Sequence, residues 1–192
     1  MSSIPALIQA SIDVKVKLLN DPVMQNTLRQ VSDACINAYK NDRKILFCGN
    51  GGSAADAQHI AAELSGRFYT DRAPLYAEAL HVNTSYITAV ANDYSYDVVY
   101  SRMVQAAGRK GDILFAISTS GNSKNILAAI EQGRKAGMVV VGMTGESGGK
   151  MNTLCDFMLK SPSMDTPRIQ ETHILMGHIL CQLIEEGLFP AS

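Results

Sequence analysis

Apolar residues recur at helical spacing over residues 4–19 and again over 22–41: Ile4, Leu7, Ile8 and Ile12, then Val23, Met24, Leu28, Val31 and Ile36. Asp21-Pro22 reads as a helix start, an acceptor cap followed by proline in the first turn. The pattern then changes. KILFCGN (44–50) is a short apolar run closed by glycine, as expected of a strand buried on both faces. From there strand and helix patterns alternate. Helix is predicted over 53–66, 84–92, 97–107 and 122–136, and strand over 77–82 (the weaker one), 112–118, 138–144 and 156–161. A long helix is predicted over 167–186, with Thr166 as its cap, Pro167 in the first turn and Gly187 beyond its end.

This alternation predicts an α/β fold in which helices cover both faces of a parallel sheet. The 192 residues fit one domain spanning 1–192. The last helix is apolar nearly all round (Ile169, Ile174, Leu175, Met176, Ile179, Leu180, Leu183, Ile184), which predicts burial, with a subunit interface as the expected setting.

Charge narrows the partners. Seventeen Lys+Arg against 18 Asp+Glu leave no global field to recruit nucleic acid or an anionic membrane, so an anionic ligand would need a local site. Cys35, Cys48, Cys155 and Cys181 show no CxxC pair or finger spacing and are expected as reduced thiols within apolar segments. The N-terminal stretch lacks the basic start and apolar run of a signal peptide, and no apolar stretch is long enough for a membrane span. A cytoplasmic protein is expected.

Ligands of open parallel sheets bind beyond the carboxyl ends of the strands, and two strands here end in suitable loops. In CGNGGS (48–53), Gly49, Gly51 and Gly52 permit a sharp turn and close backbone approach, and Ser53 is expected to cap the following helix. STSGNS (118–123) places the hydroxyls of Ser118, Thr119, Ser120 and Ser123 at a helix N-terminus, where free N–H groups favour an anion. Neither loop is a P-loop or a GxGxxG, which favours a small phosphorylated metabolite over a nucleotide.

His59 and Glu63, four apart among apolar neighbours, share a helix face, and such a pair can hold a metal. Gln170, His173 and His178 interrupt the apolar last helix and need partners if buried. Gln170 and His178 are eight apart, roughly 12 Å along a straight helix. Either they lean together, eased by Gly177, or they serve sites in different chains. Arg67 reads as an exposed charge or as a clamp, and Asn92-Asp93 as a helix stop or a ligand contact.

KILFCGNGGSAADAQHIAAELSGRF, AISTSGNS, MTGESGGKM and RIQETHILMGHIL together resemble the phosphoheptose (sedoheptulose-7-phosphate) isomerases of the sugar-isomerase, or SIS, domain superfamily, over nearly the whole chain. The resemblance implies a single SIS domain with a five-stranded parallel sheet flanked by helices. It also implies a homotetramer with the N- and C-terminal helices in its core. The reaction implied is isomerisation of sedoheptulose 7-phosphate to D-glycero-D-manno-heptose 7-phosphate through an enediol(ate), toward the heptose of lipopolysaccharide core. On this basis Ser118, Thr119, Ser120 and Ser123 hold the phosphate. Asn50, Gly51, Gly52, Asn92 and Asp93 contact the sugar, with Ser53, Arg67 and Gln170 completing the substrate set. His59, Glu63, Gln170 and His178 match the ligands of one zinc per subunit. Glu63 and His178 match the catalytic acid–base pair, without a division of roles.

The alternative is a regulator like the DnaA initiator-associating protein DiaA, which has the same fold and length. SAADAQH, TAVAND and the LFP ending lean that way. DiaA carries Ser at the position of Glu63 and Asn at that of His178, so the positions that decide chemistry side with the isomerases.

Overall fold

The structure, a computed structural model, describes residues 3–190; residues 1, 2, 191 and 192 of the expected 1–192 domain lie outside it. Two helices, α1 (Ile4–Leu19) and α2 (Pro22–Lys40), precede the first strand, β1 (Ile45–Gly49). Asp21 caps α2 as expected, its carboxylate accepting from Met24 N at 2.9 Å. Then follow α3 (Gly52–Ser65), β2 (Ala77–Ala79), α4 (Thr84–Asp93), a 3-10 turn at Tyr96–Val98 and α5 (Val99–Ala107). The chain continues through β3 (Ile113–Ile117), α6 (Lys124–Lys135), β4 (Val139–Thr144), β5 (Phe157–Lys160) and α7 (Thr166–Leu188). The weak strand expected over 77–82 shrinks to three residues, because it borders the sheet and turns at Leu80.

All five strands are parallel, in the order β2-β1-β3-β4-β5. Every residue of β1 and β3 is buried, which explains why these strands read as continuous apolar runs. Their side chains alternate between two cores. Ile45, Phe47, Ile113, Phe115 and Ile117 pack with α2, α3 and α7, where Phe47 stacks on Phe115 at 4.9 Å. Leu46, Cys48, Leu114 and Ala116 pack with α5 and α6 on the other face. Cys35, Cys48 and Cys181 are buried and Cys155 is half-buried, all free thiols.

Both expected ends of the last helix are corrected. Asp165 is the N-cap residue and Thr166 already lies inside α7. Gly187 also lies inside, where a Cβ would meet Ile36 Cδ1 at 2.4 Å, so this glycine serves close packing against α2 rather than a stop. The expected burial of α7 is met largely within its own chain, against α2, α3 and α1. The apolar row left open is on α1, where Ile4, Leu7, Ile8, Ile12 and Val16 are exposed.

His173 anchors α7 to the sheet. It is fully buried, and its Nε2–H donates to the Thr144 carbonyl at the end of β4 (3.1 Å), leaving Nδ1 without a partner. Burial holds its pKa down to about 4, with the Thr144 bond working the other way. The unfolded chain protonates this ring near 6.5 and the folded one only near 4. Its contribution, on the order of 3 kcal/mol, is therefore complete above pH 6.5 and lost as pH falls toward 4. Urea unfolding of the wild type and of His173→Gln should show this as a steeper loss of stability in the wild type between pH 7 and pH 5. Equal losses in the two proteins would contradict it.

Candidate functional site

Chain order and sheet order place the two candidate loops side by side. From β1 the chain moves outward to β2, then crosses back to β3 on the other side of β1, which makes the β1/β3 boundary the switch point where parallel sheets bind ligands. Gly49 lies level with Ile117, so the loops that follow start together. A reciprocal amide pair joins them: Asn50 Nδ2 donates to Asn125 Oδ1 and Asn125 Nδ2 to Asn50 Oδ1, each at 2.9 Å. Tyr96 OH donates to Asn50 Oδ1 at 3.3 Å, and the buried Tyr100 OH bonds the Gly49 carbonyl.

In the first loop Gly51, at φ +56°, is the N-cap of α3. Ser53 is buried within the first turn rather than capping it, a correction that follows from the helix starting one residue early. Gly52 receives the Gln170 amide, whose Nε2 would lie 2.4 Å from a Cβ at that position.

In the second loop the hydroxyls converge. Ser118 Oγ lies 3.0 Å from Ser123 Oγ and 3.5 Å from Ser120 Oγ, and Asn122 N donates to Ser120 Oγ at 3.2 Å. Ser123 is the N-cap of α6 but its hydroxyl contacts Ser118 Oγ and makes no cap bond, so the N-terminus of α6, with no side-chain cap, favours an anion beside the hydroxyl cluster. Thr119, Ser120 and Asn122 line a cleft of about 270 Å³ with Ser147, Met164, Thr166 and Ile169.

Farther along α3 the expected metal ligands meet. His59 Nε2 lies 3.1 Å from Glu63 Oε1 and 3.4 Å from His178 Nε2, and donor atoms of all three residues lie within 4.8 Å of one another. Two imidazole nitrogens and a carboxylate oxygen gathered this closely form a donor set of the kind that suits zinc. The rings of His59 and His178 meet edge to face at 5.0 Å, and Phe68 lies 5.8 Å from His178. Both histidines belong to one chain, so the trio itself needs no second subunit, but Gln170 and His178 do not lean together within the chain. Gln170 is held nearer the start of α3, at Gly52, so the single chain gathers three of the four expected ligands.

Arg67, Asn92 and Asp93 are exposed and make no hydrogen bond to either loop among the described residues. Asn92 Nδ2 instead donates to Asp93 Oδ1 at 3.0 Å. The segment they end does approach the site, because Tyr96, three residues on, reaches Asn50. Sequence reasoning missed Asn125, Tyr96 and Asp56. Asn125 was legible only as one more residue of a helix pattern. Asp56 lies one turn before His59 with Oδ2 buried and unpartnered; burial pushes its carboxyl up to about 6, with His59 pulling it down.

A family model described as the SIS domain matches residues 19–145. The phosphoheptose isomerase of Aneurinibacillus thermoaerophilus is 52% identical over 182 residues, 95% of this chain and 92% of that protein. Among solved structures, phosphoheptose isomerase GmhA from Neisseria gonorrhoeae superposes with a TM-score of 0.89 at 41% identity, covering 95% of this chain and 97% of that one. A phosphoheptose isomerase from Francisella tularensis superposes at 0.92 with 37% identity, covering 97% of this chain and 100% of that one.

Gly121 provides a test of the loop's construction. Its φ is +65°, and a Cβ there would meet the Gly148 carbonyl oxygen at 2.2 Å. Gly121→Ala should lower unfolding stability by about 1–3 kcal/mol, the usual cost of a strained backbone position, and weaken inorganic phosphate binding in calorimetry. Unchanged values for both would show that the turn tolerates a side chain.

Proposed function

The chain belongs to the SIS domain family and, within it, to the phosphoheptose isomerases, and from this premise we propose that it interconverts sedoheptulose 7-phosphate and D-glycero-D-manno-heptose 7-phosphate. The observation that carries the reading is the pairing of a hydroxyl-lined loop at a helix N-terminus with the His59, Glu63 and His178 trio. Gly52 at the loops and His59 are seven residues apart on α3, about 10 Å along the axis. That separation suits a substrate held by phosphate at one end and transformed at the other.

Moving a proton between C1 and C2 through an enediol(ate) needs one group to take a proton from carbon and another to supply one to oxygen. Glu63 and His178 form that pair, with the two roles shared. Ser118, Thr119, Ser120 and Ser123 hold the phosphate by hydrogen bonds that contribute positioning without polarising the ester. Asn50, Gly51, Gly52 and Ser53 shape the sugar site with Gln170, and Arg67, Asn92 and Asp93 border it. His59, Glu63 and His178 would hold one zinc per subunit, and bound zinc supplies Lewis acidity toward the carbonyl and adjacent hydroxyls.

The chain is read as one SIS domain throughout, assembled as a homotetramer with α1 and α7 in its core. The exposed apolar row on α1 supports assembly, since single chains rarely leave such a patch bare. No helix among the described residues is long and apolar enough to cross a membrane, in keeping with a cytoplasmic setting. The product is assigned to heptose for a surface glycan such as lipopolysaccharide core. The replication-regulator alternative is not favoured, since the relatives described above are phosphoheptose isomerases.

Purified protein given sedoheptulose 7-phosphate, with and without zinc, should yield aldoheptose phosphate by NMR; no product under either condition would sink the reading. Glu63→Gln and His178→Ala should each lower kcat by about 10²-fold or more in folded protein. Near-normal turnover by either variant would remove that residue from the mechanism. Ser120→Ala with Ser123→Ala should weaken sugar-phosphate binding by about 1.5–3 kcal/mol per lost hydroxyl and leave unphosphorylated sugar binding unaltered. Equal losses for both ligands would mean that the loop only shapes the fold.

A further inference from the structure

The last turn of α3 carries Glu63, and its carbonyls lack intrahelical partners. Arg72 supplies them from outside the helix, sharing Leu64 O with Leu75 N at 3.1 Å. Its Nη2 donates to Glu63 O at 3.0 Å, and its Nη1 to Leu64 O at 2.9 Å and to Gly66 O at 3.3 Å. The remaining edge of the same guanidinium turns to α7, where Nε donates to Glu185 Oε2 at 2.9 Å. Glu185 Oε1 accepts from Tyr69 N at 3.0 Å and from Thr70 N at 2.9 Å, tying down the segment that places Phe68 against His178. Burial by itself pushes the Glu185 carboxyl up, but the bonds from Thr70, Arg72 and Tyr69 outweigh it and hold its pKa below the ordinary value. The Arg72 and Glu185 side chains are 2% and 5% exposed.

We propose that Arg72 and Glu185 are a positioning pair that sets the separation of Glu63 from His178, and through it the affinity of the trio for its divalent cation. The inference rests on the metal reading given above. One planar group bonds the peptide of Glu63 and, through Glu185, the helix that carries His178 seven residues earlier. A buried ion pair contributes little net stability over well-packed apolar residues of the same volume. What an apolar pair does not reproduce is the tether between α3 and α7. Lysine does not reproduce it either, because its ammonium lacks the planar fork that serves several acceptors in fixed directions.

The experiment measures zinc affinity by chelator competition for wild type, Arg72→Lys, Glu185→Gln and the double variant Arg72→Met/Glu185→Leu. Far-UV circular dichroism and light scattering establish that each is folded. Arg72→Lys and the double variant should bind zinc about 10–100-fold more weakly, the usual loss when a residue supporting metal ligands is removed, while retaining native circular dichroism. Glu185→Gln keeps an acceptor oxygen and should lose less, and it carries the test if the other variants do not fold. A folded variant with wild-type zinc affinity overturns the pairing, whatever its melting temperature. Wild-type protein that takes up no zinc overturns the metal site itself, a result distinct from normal uptake by wild type and variants alike.

Discussion

The site depends on how closely α7 approaches α3. The two helices run parallel, with Gln170 against Gly52, Gly177 against Ile60, and His178 beside His59. Gly177 makes the approach possible, since a Cβ there would meet Ile60 Cδ1 at 2.5 Å. Helices packed over a glycine bring side chains from both axes to one point, which is how two histidines from distant parts of the chain come to face each other. His173 fixes α7 at one level through Thr144, and Arg72 with Glu185 fixes it at another. Between these anchors His178 has little freedom to leave the trio.

The second element is neutral. The hydroxyls of the 118–123 loop and the Asn50–Asn125 amide pair carry no formal charge, the ammonium of Lys124 at the start of α6 is exposed and pairs with Asp97 at 3.8 Å, and the chain as a whole is close to neutral. Neutral donors at a helix N-terminus can hold a dianion without withdrawing electrons from the ester as a lysine clamp would. This suits the proposed reaction, whose chemistry would lie at the far end of the substrate. The amide pair also ties the two loops together, so a sugar bridging them as proposed would meet a prearranged surface.

Much of this was legible in the sequence. The period of apolar residues identifies the strands and helices, because burial on one or two faces imposes that period directly. Glycine at a βα turn and clustered serines at a helix start identify the loops, because those backbone and donor requirements are local. His59 and Glu63 share a face by spacing alone. The resemblance to the phosphoheptose isomerases rested on these same segments.

What the sequence left open concerns contacts between distant residues. Thr166 looked like a cap and Gly187 like a stop, yet both lie within α7, because tertiary packing extends the helix past its local signals. Whether His178 meets its own chain's His59 followed from the crossing of α3 and α7. Arg72, Glu185, Asn125 and Tyr96 carried no signal, since an arginine or an asparagine in isolation records nothing about its acceptor. Local chemistry and periodicity are written in neighbouring residues. The meeting of side chains 119 residues apart, as for His59 and His178, is decided only when the helices pack.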